Sequence, residues 1–113
     1  MLYCGNYIKS SDGSYWLMQQ SDGNLVIYDG TTAPPSISWN ASTTNANATT
    51  TFTVLQPTDG NMVTYPFIGA RPTDALWFTA TSGNVNDTAV MQNDGNFVIY
   101  SKDGKAVWWS KKR

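Results

Sequence analysis

Gln20-Ser21-Asp22-Gly23-Asn24-Leu25-Val26-Ile27-Tyr28 is met twice more along the chain. It returns as Gln56-Pro57-Thr58-Asp59-Gly60-Asn61-Met62-Val63-Thr64-Tyr65 and as Gln92-Asn93-Asp94-Gly95-Asn96-Phe97-Val98-Ile99-Tyr100. Asp22, Asp59 and Asp94 lie 37 and 35 residues apart, a period that marks one supersecondary unit used three times. Asp-Gly between apolar runs signals a hairpin, because a tight turn between twisted strands needs residues that tolerate positive φ. On the strand leaving the turn, side chains alternate between faces. Leu25 and Ile27 then point to the core and Asn24, Val26 and Tyr28 outward, with Gln20 and Asp22 close by across the turn. The third stretch divides alike, Phe97 and Ile99 inward, Asn96, Val98 and Tyr100 outward.

Turn chemistry alone accounts for Asp-Gly-Asn, and Val or Tyr on a strand is ordinary β composition. Neither requires the spacing Gln-x-Asp-x-Asn-x-Val-x-Tyr, filled at all five positions in the first and third repeats and at four in the second. Those side chains suit a hexose, whose hydroxyls both donate and accept and whose C–H face is apolar. Asp22 accepts, Asn24 and Gln20 do both, Tyr28 offers a hydroxyl and Val26 an apolar contact. Each hydrogen bond contributes about 1 kcal/mol net, so one shallow site holds a monosaccharide at roughly millimolar strength, about −4 kcal/mol. Several sites together gain roughly 10²- to 10⁴-fold by avidity.

The pattern, complete at Gln20 to Tyr28 and at Gln92 to Tyr100, resembles the mannose-binding motif of the bulb-type lectins related to the snowdrop agglutinin. Leu2-Tyr3-x-Gly5 resembles that family's opening strand, and Trp39, Trp77 and Trp108 fall where each of its repeats places a Trp. The resemblance implies an all-β fold, the β-prism II. That is three four-stranded antiparallel sheets about a pseudo-threefold axis, with the three Trp side chains at the centre. It also implies roles. Asp22 and Asn24 bind the axial 2-hydroxyl of mannose, Tyr28 the 4-hydroxyl and Gln20 the 3-hydroxyl, while Val26 touches ring carbons. Asp94, Asn96, Tyr100, Gln92 and Val98 take the same roles. In the second repeat an extra residue separates Gln56 from Asp59, which displaces Gln56 or forces a bulge. Asp59, Asn61, Val63 and Tyr65 are therefore expected to form a weaker site.

At 113 residues the chain reads as a single domain, residues 1–113, able to bury about two-thirds of its unfolded surface. No segment shows a long 3.6-residue apolar period, and all eight acidic residues are Asp, a residue that favours caps and turns over helix interiors. Trp39, Trp77 and Trp108 read as core packing. Trp16 and Trp109 are candidates for stacking on a sugar, though both sit beside apolar neighbours that read as strand. Residues 29–38, 41–51 and 66–74 are rich in Pro, Gly, Ala, Asn, Ser and Thr and read as surface connections. Loops of this kind can select among oligosaccharides.

Other functional classes find little in the sequence. With no His and no Glu, His-based acid–base pairs, catalytic triads and the common zinc sites are excluded. A glycosidase needs two carboxyl groups with divided roles facing one bond, whereas each repeat offers one. Calcium asks for six to eight oxygens, usually with several carboxylates, so no metal and no cofactor is expected. A structural or protein-interaction prism whose sugar sites no longer work is the rival reading. Net charge is −1 and the basic cluster Lys111-Lys112-Arg113 ends the chain, which argues against nucleic acid, and no apolar run reaches membrane-spanning length. The expected partners are mannose-containing glycans or glycoproteins. Plant members of the family usually carry a disulfide, but Cys4 stands alone. Asn40-Ala41-Ser42, Asn47-Ala48-Thr49 and Asn86-Asp87-Thr88 fit the N-glycosylation sequon. With no signal peptide visible before the repeats, a cytoplasmic location is placed ahead of secretion. Family members often dimerise by exchanging C-terminal strands, and Val107-Trp108-Trp109-Ser110 is the segment that would do so here.

Overall fold

The computed structural model describes residues 1–111, so Lys112 and Arg113 of the basic cluster lie outside the described residues. The first repeat folds into an antiparallel sheet of β1 (Tyr7–Lys9), β2 (Tyr15–Gln19), β3 (Leu25–Asp29) and β4 (Ser36–Asn40), in chain order. The second supplies β5 (Phe52–Leu55), β6 (Met62–Tyr65) and β7 (Trp77–Phe78). The third supplies β8 (Thr88–Met91), β9 (Phe97–Tyr100) and β10 (Ala106–Trp109). β3, β6 and β9, which leave the Asp-Gly turns, lie between the strands before and after them.

The expected three four-stranded sheets are one of four strands and two of three. The missing strand is in each case the first of its repeat. Where β1 stands in the first sheet, the second and third repeats have residues 41–51 and 80–87, which contain left-handed backbone at Ser42 (φ 57°), Ala80 (φ 58°) and Asn86 (φ 67°). Asn40 and Asn45 also turn their side-chain oxygens onto the amides of Ser42 and Asn47, at 2.9 and 2.8 Å, local bonds that compete with a ladder. The outer edge of β5 is instead met by Leu2, which exchanges two backbone hydrogen bonds with Thr53 at 2.7 and 2.9 Å. The opening segment is thus a single bridge on the second repeat's sheet.

Alternation sends Leu25, Ile27, Met62, Phe97 and Ile99 into one shared core. Packed against it and half-buried, Trp39, Trp77 and Trp108 meet edge to face in a closed triangle, with centroids 5.5, 5.8 and 5.6 Å apart, the geometry aromatic quadrupoles favour. Two of these rings reach the core through a bulge. Register slips between Ile27 and Tyr28 on β3 and between Ala106 and Trp108 on β10, which sets Trp39 opposite Ile27 and Trp108 opposite Ile99. β10 pairs with β9.

The turns carry Gly at positive φ, 90° at Gly23, 78° at Gly60 and 86° at Gly95. The Gln amide before each turn bonds the Asn carbonyl after it, at 2.9, 2.8 and 3.0 Å. Between those residues stand three in the first and third repeats and four in the second. A Cβ on Gly60 would fall 2.1 Å from the Asn84 carbonyl oxygen, whereas one on Gly104, at φ 83°, would meet nothing within 4 Å. Both glycine-to-alanine changes carry the left-handed penalty of about 1–2 kcal/mol. Gly60→Ala is expected to lower the melting temperature clearly further than Gly104→Ala, as thermal unfolding by circular dichroism will show.

Candidate functional site

The face of each sheet turned from the core repeats one arrangement. Gln20, Gln56 and Gln92 directly follow the strand that leads into the turn. Their side chains reach along the sheet to the phenols of Tyr28, Tyr65 and Tyr100. The row Asn, Val, Tyr runs beneath on β3, β6 and β9. Asp22, Asp59 and Asp94 each accept the amide of the Asn two residues on, at 2.9 Å through Oδ1. The turn therefore occupies one carboxylate oxygen, Oδ1, in each repeat.

The three asparagines are clamped. Asn24, Asn61 and Asn96 each receive on Oδ1 a backbone amide from the segment after the fourth-strand position, from Thr43 at 3.0, Thr81 at 3.1 and Lys111 at 2.8 Å. With Oδ1 committed, Nδ2 is the atom each can offer a sugar, as a donor. Hydroxyls complete the support. Thr43, Thr79 and Ser110 accept the amides of Leu25, Met62 and Phe97 at 3.0, 3.1 and 2.9 Å. Sequence reasoning missed these three, although each stands two or four residues after a core Trp.

The extra residue of the second repeat produces neither expected consequence. It is absorbed in the turn, β5 and β6 pair without a register shift, and Gln56 stays in the site. Gln56 Nε2 donates to both Asp59 oxygens, at 3.2 and 3.1 Å, while the Tyr65 hydroxyl donates to Gln56 Oε1 at 2.6 Å. Asp59 is drawn in over this site, whereas Asp22 and Asp94 are exposed.

The valines lie on the expected face but not at the surface: Val26 is 0 % exposed, Val63 3 % and Val98 3 %. Neighbouring strands flank them, with Met18 and Asn40 on either side of Val26. Concavity also differs between the sites. Gln56, Asp59, Asn61, Val63 and Tyr65 share a cavity of about 270 Å³. Gln92, Asn96, Val98 and Tyr100 share one of about 220 Å³. Both are below the roughly 300–1,000 Å³ of enclosed small-molecule pockets, a scale that fits shallow recognition of a sugar. At the first repeat the recess touches Gln20, Ser21 and Asp22 from the side of Gly5 and Met18, and does not reach Asn24, Val26 or Tyr28. Trp16 stacks on Tyr28 there at 5.7 Å, and Trp109 lines the third cavity. Among the described residues no group of three metal-ligating side chains occurs, and no helix is long and apolar enough to cross a membrane.

Behind the second site, the loop of residues 80–87 is pinned to the turn, with Gly83 N–H donating to the Asp59 carbonyl at 2.8 Å. Asp87 in this loop keeps Oδ2 buried without a partner. Burial pushes its carboxyl above the usual range, its own backbone amide opposes this in part, and the charge of Asp59 adds to the rise. A raised folded-state value gives stability below the unfolded value, about 3.9, which is lost as pH climbs through the folded one. Asp87→Asn is therefore expected to raise the melting temperature at pH 7 relative to the parent and to have no such effect near pH 3.

Three antiparallel sheets about a tryptophan triad, each presenting the same polar bracket outward, define a β-prism of the second type carrying saccharide-type sites. Solved structures of this architecture match over nearly the whole chain. A monomeric monocot mannose-binding lectin from Gastrodia elata is 32 % identical with a TM-score of 0.78, over 99 % of this chain and 91 % of that one. A lectin of Marasmius oreades is 32 % identical with a TM-score of 0.76, over 97 % and 83 %. The mannose-specific agglutinin of snowdrop (Galanthus nivalis), solved with methyl-α-D-mannoside, is 28 % identical with a TM-score of 0.63, over 94 % and 87 %. Scans of family models and of curated proteins return no match. The chain belongs to the bulb-type mannose-binding lectin family.

Proposed function

We propose that the protein binds terminal mannose of glycans and glycoproteins through its repeated brackets, without metal and without chemical conversion of the sugar. The whole chain acts as one lectin domain of three repeats. The observation that carries this reading is the common wiring of the three faces. Each has a carboxylate held by its own turn, an amide clamped to donate, and a Gln–Tyr pair that satisfies itself until a hydroxyl replaces one partner. Burial of the three valines makes polar contacts the main source of affinity, so each site is expected near millimolar strength. The second site, with all five side chains gathered around one cavity, ranks with the third as a working site. The rival reading as a protein-interaction prism gives no reason for one polar geometry to be kept on three separate faces. Enzymatic action is disfavoured because each carboxylate faces its own site alone.

Titration with methyl α-mannoside, followed through the amide signals of Gly23, Gly60 and Gly95, tests the proposal. Saturable shifts at the turns are expected, unchanged in excess EDTA. A flat response at all three glycines, or loss of binding in EDTA, would contradict it.

A further inference from the structure

One position of the last strand in each sheet lies directly opposite the motif valine. Asn40 faces Val26, Phe78 faces Val63 and Trp109 faces Val98. The chemistry at this equivalent place differs. Phe78 is 56 % exposed and lines the second cavity with Pro72 and Ala75, and Trp109 lines the third with Ala106. In the first repeat the place is held by Asn40, whose Oδ1 accepts the Ser42 amide at 2.9 Å. Opposite Tyr28, where the third repeat has the small Ala106, stands Ile37, 55 % exposed. At the second and third sites a recess lies beside an aromatic ring at this place, and at the first the place holds an amide.

The geometry points to Phe78 and Trp109 as specificity-determining aromatic walls, each meeting the apolar C–H face of a pyranose bound in its bracket; the first site, with Asn40, has no such wall. This deepens the mannose reading and rests on it. Residues directly opposite on antiparallel strands stand about 4.5–5.5 Å apart at Cβ, so each ring rises beside the ground a sugar must cover. Since Val63 and Val98 are 3 % exposed, the floor offers a pyranose little apolar surface. Contact with its C–H face falls to a wall, and a flat aromatic ring presents the largest one. The C–H face can belong to the terminal mannose or to the residue linked to it.

The full chain, labelled for nuclear magnetic resonance, is titrated with methyl α-mannoside and separately with an α-linked mannobiose, and the turn glycines report each site by itself. Phe78→Ala is expected to weaken binding read at Gly60, and Trp109→Ala binding read at Gly95, by roughly three- to ten-fold. Trp109→Phe should retain most of the affinity, which separates the wall from a loss of fold. Asn40→Trp should strengthen the first site, read at Gly23, by a similar factor. Equal weakening with both sugars places the terminal mannose against the ring, and weakening with the mannobiose alone places the linked residue there. Unchanged dissociation constants for both sugars in the two alanine variants would overturn the inference. No shift at any of the three glycines in the parent protein would overturn the mannose reading beneath it.

Discussion

Trp108→Ala is expected to destabilise the protein by about 3–5 kcal/mol, the largest effect of any single substitution considered. Its ring meets Trp39 at 5.8 Å, Trp77 at 5.6 Å and Phe97 at 6.3 Å, whereas Trp39 and Trp77 each meet two rings of the triangle. The sheets come from different repeats, so this triangle joins the three at one point. Removing the ring with most neighbours opens a cavity that three separate sheets must collapse to fill, and cavities that cannot collapse cost most. For a domain of about this size the loss corresponds to a fall in melting temperature of well over about 10 °C. Trp39→Ala and Trp77→Ala should follow with smaller falls. Equal melting temperatures for Trp108→Ala and the parent would show that the triangle does not hold the sheets together.

The second large effect is on recognition. Asp22→Asn, Asp59→Asn and Asp94→Asn combined are expected to abolish retention on immobilised mannose and to lower binding to a multivalent high-mannose surface by roughly 10²- to 10⁴-fold. A hydrogen bond to a charged acceptor is worth about 1.5–3 kcal/mol, most of the affinity of a millimolar site. Asparagine still offers Oδ1 to the amides that Asp22, Asp59 and Asp94 now accept at 2.9 Å, so the turns persist. The triple variant should keep its melting temperature within a few degrees by this physical reasoning, which separates lost binding from lost fold. Full retention on mannose would remove the carboxylates from the site.

The fold was legible wherever a residue's role depends on its neighbours along the chain. Leu25, Ile27, Phe97 and Ile99 reach the core by simple alternation, and Trp39, Trp77 and Trp108 recur once per repeat and meet one another against that core. What depends on pairing across strands was not legible. The count of four strands per sheet fails because residues 41–51 and 80–87 satisfy their backbone locally and turn through left-handed φ, a preference that periodicity does not register. Gln56 stays in its site because one added residue lengthens the turn without moving the ladder. The burial of Val26 reflects Met18 and Asn40 on neighbouring strands. Asn40, Phe78 and Trp109 each directly follow their repeat's Trp, a spacing that marks the shared place, but that this place faces the motif valine is known only from the pairing across strands.

The most direct measurement is a crystal structure with methyl α-mannoside at about ten times the millimolar dissociation constant expected of one site. Mannose is predicted over Val63 and Val98, its 2-hydroxyl within hydrogen-bond reach of Asp59 and Asn61 in one site and of Asp94 and Asn96 in the other. Density for the sugar elsewhere on the surface, with both brackets still closed by their Gln–Tyr bonds, would contradict the assignment.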